Sequence, residues 1–536
     1  MIHKVSPPAF YAICTGLFFT SLFVISCILP LLRRGLGLLL LQIRKLVFHR
    51  FTIGRHSHIG PWTVWFTLTH VVYVASNVAG LCVGAQSTSL YMSRAGQLAL
   101  VNAAPLLLSM HLSFLADLFG LRLRTFLLVH RACGLMTTAH VVLHSIVVVA
   151  RGVSMERSNS VDVYPVTAAG LLLLSTLIGP ILRRRYYELF VRLHQALAGG
   201  VAAGTVMHLR AVAWSRWPFM YAYGGLVSAL TLFQLGRTIL YNKQLGLPLP
   251  RIDVTSSHGT VKATITVSRP LVIDAGQYVN IWVPSVSLFS SHPFTITSWS
   301  PYPVRRFELF IQRRQGFTSR LHDRAELHRD ISVQSRMLFS GPHGSSLRVW
   351  DFEHVLFFVQ DFGIAAALPH LQKLIHGRAR GQRKTRRVHV LWHVNNIDAR
   401  QAVTPTINDL FHADGAGESY IFHVSVYNGI EMETETSSHG RFTIHPGVPN
   451  VWEILSAEAN LREQQVTEGR TTTDAVQESS ALDTSRTGMR NHGTGDNERT
   501  LVVVSAKGAL RDEVRLSLRG FLSRGFELQD LDFQPV

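Results

Sequence analysis

Seven long apolar stretches crowd the first 245 residues, and they limit the fold more than any other feature. They lie near 10–31, 62–84, 96–118, 125–150, 165–182, 188–209 and 218–241. Most carry no charged residue over about twenty positions, the length a helix needs to cross a hydrocarbon core. Such a chain is expected to place about seven helices across a membrane. The shortest stretch, 165–182, contains Pro180. Beyond residue 250 the apolar residues fall into short β-branched runs separated by turns, so a soluble, strand-rich part follows.

The formal charge of +18 could suit a nucleic acid, but its distribution points to a lipid membrane and no nucleic-acid partner. Basic residues cluster in alternate loops, at Arg33/Arg34, Arg44/Lys45/Arg50/Arg55, Arg122/Arg124 and Arg183/Arg184/Arg185. The other loops hold only Arg94, Arg151/Arg157 and Arg210/Arg216. The positive-inside rule puts the first set in the cytosol, the amino terminus outside and everything after the seventh helix inside. The first stretch has no small-residue cleavage site and reads as a retained helix. Cys14, Cys27, Cys82 and Cys133 lie in or beside the apolar stretches without metal-ligand spacing, so no disulfide framework is expected.

Two histidine pairs interrupt this apolar background. His130 and His144 are fourteen residues apart, and so are His194 and His208. Fourteen residues are about four helical turns, so each pair lies near one helix face, about 21 Å apart along the axis. Intramembrane ionisable groups are functional by default. Imidazoles facing one another at two matched depths can hold two stacked haems as axial ligands. The charge-derived topology makes His130/His194 the inner pair and His144/His208 the outer pair. His140, one turn before His144, is the internal competitor and could bond a haem propionate or nothing. His70 and His111 lack a partner at this spacing and read as packing or polar contacts.

The segment RIDVTSSHGTVKATITVS reads as paired strands and AGQYVNIWVP as another, followed by SSHPFTITSWS and RRFELFIQRRQGFTSRL. Behind a bis-histidine helical region, this series resembles a fungal-type ferric reductase (metalloreductase), within the superfamily that includes the NADPH oxidases. The resemblance covers nearly all of residues 60–455 and 500–536. It implies that His292, Pro293, Phe294 and Thr295 line a flavin. It implies that Gly316, Phe317 and Thr318 open a helix at the FAD pyrophosphate, where backbone N–H groups suit a phosphate. SGPHGS at 340–345 resembles the family's GPYG turn, so Gly341, Pro342 and Gly344 lead into a nicotinamide domain.

LFFVQDFGIAAALPHLQKLI then follows the strand–turn–helix plan of a dinucleotide-binding unit, with Gly363 and Ile364 at the cofactor. Here the sequence departs from the family. Gln360, Asp361 and Phe362 replace the usual glycines, and a carboxylate at Asp361 is unfavourable beside a pyrophosphate. HGRF at 439–442 makes Arg441 a candidate partner for the NADPH 2′-phosphate; the alternative is a solvated arginine. Val536 stands where the family has an aromatic residue over the flavin. Residues 456–500 are polar, rich in Thr, Ser and Gly, and read as a disordered insertion.

The resemblance implies a multidomain chain: an α-helical, bis-haem transmembrane bundle, a flavin-binding β-barrel and an α/β nicotinamide-binding domain. The expected boundaries are 1–60 for the first helix and a basic loop, 61–245 for the haem-binding domain, 246–345 for the FAD domain and 346–536 for the nicotinamide domain. The implied cofactors are FAD, two haem b and NADPH. Electrons would pass from cytosolic NADPH through FAD and the two haems to an external ferric or cupric chelate, at the plasma membrane. A metal-uptake permease or oxidase is the partner such a reductase would serve. Two alternatives stand beside this reading: an oxidase that reduces dioxygen to superoxide, and a non-catalytic haem-binding partner protein with a degenerate nicotinamide site. Many of the oxidases have a second pair one residue closer, so equal spacing favours the metalloreductase.

Overall fold

A computed structural model describes residues 6–32, 42–55, 60–152, 160–212, 217–242, 248–257, 259–288, 290–327, 333–381, 384–415, 420–429, 435–437, 440–464 and 499–533. Val536 and most of the 456–500 segment lie outside the described residues.

Each apolar stretch appears as helix: α1 (Pro7–Leu32), α2 (Val64–Cys82), α3 (Thr88–Leu107), α4 (Leu112–Leu118), α5 (Leu123–Ala150), α6 (Ser160–Arg185), α7 (Tyr187–Val212) and α8 (Trp217–Asn242). The stretch at 96–118 is not one straight helix. Pro105 removes a ladder donor near the end of α3, a 3-10 turn follows at Leu108–His111, and α4 departs at 95°. Among the described residues, α2, α5 and the Val163–Arg183 part of α6 are long and apolar enough to cross a membrane, and the bent α3/α4 pair makes a fourth. Length and apolarity thus qualify fewer spans than the seven expected. Leu17, Val72, Leu135, Val149, Leu177, Ile181 and Leu240 face outward with more than half their surface exposed. So dense a set of exposed aliphatics suits a lipid boundary.

Strands β1 (Phe51–Ile53) and β2 (Trp62–Thr63) pair antiparallel just before α2. The part after α8 holds two antiparallel sheets around one core. Strands β3 (Arg251–Ser257), β4 (Thr260–Leu271), β7 (Val304–Gln312) and β8 (Val333–Arg336) form a sheet of order β7-β4-β3-β8. Strands β5 (Tyr278–Trp282), β6 (His292–Thr295) and β9 (Leu338–His343) form the second, of order β6-β5-β9. Helix α9 (Phe317–Glu326) buries Phe317, Leu321 and Ala325 in the same core.

The carboxyl-terminal part is a seven-stranded sheet. Its order is β13 (Glu435–Thr436), β14 (Phe442–Pro446), β12 (Phe422–Asn428), β11 (Arg387–Val394), β10 (His354–Gln360), β15 (Thr500–Ser505) and β16 (Phe526–Asp530). All neighbours are parallel except β13–β14. Strands β10, β11, β12 and β15 are nearly continuous apolar runs, as a sheet covered on both faces requires. Helices α10 (Ile364–Ala379) and α11 (Ile397–Ala413) cover one face, and the helix over 451–464 (α12) and α13 (Gly508–Leu518) cover the other. Strand order reverses at β10, with β11 on one side and β15 on the other, so the crevice at its carboxyl end is the expected ligand position.

Helix α12 corrects the expected start of the insertion. Leu455 and Ala459, one turn apart, are buried, and Glu458 between them bonds His354 at 2.8 Å. Residues 456–464 therefore belong to the packed domain, and so does Thr500, the first residue of β15.

The soluble parts dock on one end of the helices. The Asn242 side chain donates to the Phe339 carbonyl (2.6 Å) and accepts from its N–H (2.8 Å). Arg55 pairs with Asp512 at 2.6 Å, and Arg122 and Arg124 reach Asp530 and Asp532 at 3.8 and 3.7 Å. These arginines belong to the basic loops that the charge pattern placed on one side.

Candidate functional site

The histidine pairs are set by helix packing. Helix α7 carries the sequence AGGVAAG, and its glycines let it lie close on α6: a Cβ on Gly204 would sit 2.9 Å from Ala168 Cβ and 3.1 Å from the Tyr164 carbonyl. Helix α5 packs on α3, where Gly96 leaves room for the His144 ring at 3.3 Å. The result brings His130 opposite His194, ring centres 6.0 Å apart at 78°, and His144 opposite His208, 6.4 Å apart at 72°.

A metal–imidazole bond is about 2 Å and the ring centre lies about 1 Å further back, so two rings on one ion have centres about 6 Å apart. Both pairs meet this spacing. A second ring nitrogen is held in each pair: His144 Nδ1 lies 2.9 Å from the Met92 carbonyl and His194 Nδ1 lies 2.8 Å from Ser175 Oγ. Such bonds fix the tautomer and turn Nε2 to a metal. Among the described residues, His130 Nδ1 is buried without a partner. Among the described residues no three His, Cys, Asp or Glu side chains gather to hold an ion. Each pair thus offers two facing imidazoles, which would suit a metal whose other positions a macrocycle fills.

His140 leaves this set. Its Nε2 lies 3.1 Å from Asn77 Oδ1, inside a buried network in which Asn102 donates to Asn77 and Tyr11 and Tyr73 donate to Asn102. His70 bonds the Phe66 carbonyl and His111 bonds Thr231 Oγ1, both as polar contacts.

The HPFT residues form β6 itself. The His292 ring stacks on Phe317 (4.5 Å, 21°), Phe294 is buried beside the same ring, and Thr295 Oγ1 donates to the Asp532 carbonyl at 3.4 Å. Burial pushes the His292 imidazole below its ordinary range, although Glu188 opposes the shift. Gly316 caps α9 with φ 79°, a conformation that favours glycine, and Thr318 Oγ1 accepts from the Arg314 N–H at 2.8 Å. The start of α9 is already engaged. The Phe317 N–H donates to Glu188 Oε1, and Arg320 donates to Glu188 Oε2 at 2.8 Å. The sequence reading did not find Glu188, which lies 128 positions before Gly316.

The GPHG turn faces the helices. Gly341 and Gly344 have φ 123° and 89°, and the peptide before Pro342 is cis. The Gly344 N–H donates to Asp117 Oδ1 (2.8 Å), and His343 Nδ1 lies 2.7 Å from Asp117 Oδ2.

At the nicotinamide turn the structure corrects the expectation for Asp361. Its φ of 49° is left-handed, and its carboxylate turns back to the end of β11, not outward. Oδ1 accepts from the Asn395 and Asn396 N–H groups (2.7 and 3.0 Å), and Lys507 Nζ lies 3.4 Å from Oδ2. Gly363 is a glycine because any Cβ would overlap the Ser505 carbonyl. Ile364 is fully buried in the sheet core and presents no side chain to a cofactor. What remains for a phosphate is the start of α10, which has no side-chain cap.

Arg441 is corrected as well. It is neither solvated nor free for a 2′-phosphate: it pairs with buried Asp414 (2.6 Å), donates to the Gly415 carbonyl (2.8 Å) and lies over the Phe411 and Tyr420 rings. It also sits beside Phe422, at the amino end of β12, while nucleotides bind at the carboxyl ends of such strands. An aromatic residue does stand near the chain end: Phe533 stacks on Phe362 of the nicotinamide turn (6.0 Å, 14°). Phe533 within DFQPV was the available signal.

Residues 95–205 match the family described as ferric reductase like transmembrane component, and residues 252–347 match an FAD-binding domain family. A probable cell surface ferric reductase of Aspergillus oryzae is 27% identical over 229 residues, 40% of this chain and 29% of that protein. A ferric/cupric reductase transmembrane component of Saccharomyces cerevisiae is 27% identical over 219 residues, 39% of this chain and 32% of that protein. The chain thus aligns with about a third of the length of these relatives. A flavohemoglobin from Malassezia yamatoensis is weakly similar in structure, with TM-score 0.34 and 12% identity over 83% of this chain and 96% of that one.

Proposed function

We propose that this chain, which belongs to the fungal-type ferric reductases, passes electrons from cytosolic NADPH across a membrane to an external ferric or cupric chelate. The observation that carries the reading is the pair of facing imidazoles at each of two depths, His130/His194 and His144/His208, each spaced for one metal ion. Haem b at each pair and FAD at the β6/α9 surface would supply the redox chemistry, the flavin dividing a hydride donor's two electrons into single steps.

The chain's own residues do the rest. Two imidazoles at each depth would hold one haem iron from both sides, which would favour electron transfer over binding of oxygen at that iron. Met92 and Ser175 fix the ring orientation of one ligand in each pair. His292, Pro293, Phe294 and Thr295 offer one wall for a flavin, and the start of α9 with Arg320 offers donors for its pyrophosphate. The apolar surfaces of the helices exclude water around the histidines. The plasma membrane, with the soluble domains on the cytosolic side, is the location that fits an external acceptor. A metal-uptake permease or oxidase would then use the reduced ion.

A second reading rests on the nicotinamide turn. The engaged Arg441 and the buried Gly363 and Ile364 leave few donors for NADPH, as in a haem-binding partner protein that does not turn over. Reduced-minus-oxidised spectra of membranes with NADPH as sole reductant separate the two. The reductase reading expects low-spin haem bands that appear with NADPH and vanish in His130→Ala, while His140→Ala keeps them. Full haem content in His130→Ala would sink the ligand assignment. Haem reducible by dithionite but not by NADPH would favour the partner protein.

A further inference from the structure

We propose that Glu188 and the flavin pyrophosphate compete for one anion seat at the start of α9, so that flavin loading frees the inner end of α7. The inference rests on the flavin reading above. Glu188 is the second residue of α7, six positions before His194. Its two carboxylate oxygens take one donor each from the flavin domain, the Phe317 N–H at the start of α9 and the Arg320 guanidinium. These are the groups that an anion at a Gly-initiated helix start would use.

Gly316 strengthens the point. A Cβ there would overlap the Glu188 carboxylate, so the glycine keeps open a concavity that an acidic group fills. Two anions cannot share it. One guanidinium and one helix terminus, about half a positive charge, balance a single carboxylate and not a carboxylate plus a pyrophosphate. Arg320 also donates to the Val286 carbonyl at 3.1 Å, which holds its head in place for either occupant.

The consequence is a coupling between two parts of the proposed electron path. With Glu188 seated, the haem-bearing helix α7 is tied directly to α9. With flavin seated, that tie is gone and Glu188 turns to water at the membrane surface. Glu188 is therefore a positioning residue, acting on flavin affinity by competition and on α7 through the tether.

The test uses the full-length, haem-loaded protein in detergent, titrated with FAD and followed by flavin fluorescence. Glu188→Gln keeps the shape and removes the competing charge, and it should bind FAD about 3- to 10-fold more tightly than the parent, with unchanged haem bands. Inorganic pyrophosphate, used as the probe, should weaken FAD binding in both proteins. In the parent, hydrogen exchange should become faster at the start of α7 and slower at the start of α9 when FAD is added. Equal or weaker FAD binding by Glu188→Gln, or slower exchange at both sites, overturns the proposal while leaving the flavin reading intact. A parent protein that takes up no FAD removes the flavin reading and this proposal with it.

Discussion

Replacing Asp361 by glycine restores the residue type that the family places at the nicotinamide turn, and the structure predicts that the change harms the domain. The Asp361 side chain is buried and accepts two backbone N–H groups at 2.7 and 3.0 Å. Hydrogen bonds to a charged group contribute about 1.5 kcal/mol each at the low end, so their loss costs about 3 kcal/mol. The Lys507 contact adds little, because that lysine is 73% exposed. Glycine adopts the left-handed φ of 49° without strain, which recovers about 1 kcal/mol. The net loss is about 2 kcal/mol, or a fall of about 4–8 °C in the melting temperature of a domain of this size. Thermal unfolding of the full-length protein, with steady-state kinetics on NADPH well below the transition, measures both sides. Asp361→Gly should lower the melting temperature and leave the KM for NADPH within about twofold, since the carboxylate does not face the helix start. Asp361→Asn, which keeps an oxygen acceptor and tolerates the backbone angle, should lose less stability. A tenfold drop in KM without thermal loss would show that the carboxylate faces the phosphates.

Two further outcomes follow from buried groups. Arg441→Ala leaves Asp414 buried without its partner and should cost about 3–5 kcal/mol of stability while leaving the NADPH-to-NADH ratio of kcat/KM unchanged; a selective loss of NADPH turnover would return Arg441 to the cofactor site. His370 is fully buried on α10 against Gly276, near Lys373 and Asp274, and neither ring nitrogen is bonded among the described residues. Burial, helped by the Lys373 charge and opposed by Asp274, lowers its pKa from the ordinary 6.5 to about 3. Between those values the unfolded chain binds a proton that the folded one does not, so stability falls as the pH drops below 6.5. Acidification from pH 7 to 5 should cost about 2 kcal/mol through this group, and His370→Leu should flatten that part of the stability curve. An unchanged slope in the variant would remove His370 as the cause.

The sequence by itself determined whatever depends on the chain's own backbone period. A helix carries its spacing with it, so apolar runs at 123–150 and 187–212 place His130, His144, His194 and His208 at fixed depths before any partner is known. Alternation of β-branched runs with turns likewise announced the strands of the two soluble parts. Only the tertiary structure decided what each side chain meets. The run of α12 into a polar stretch, as far as residue 464, follows from the packing of Leu455 and Ala459 against other elements. Asp361 was read as a hazard to phosphate because its neighbours in sequence open a helix, yet its carboxylate is held by the Asn395 and Asn396 N–H groups just after β11, 34 and 35 positions later. Arg441 was read from a four-residue motif, yet Asp414 and two aromatic rings fix it at the other end of the sheet. Glu188 drew no reading from the sequence, because its partners lie 129 and 132 residues on, in another domain. Local pattern sets direction and spacing through bonded geometry. Charge and hydrogen-bond partners are chosen through space, among groups that no window of sequence brings together.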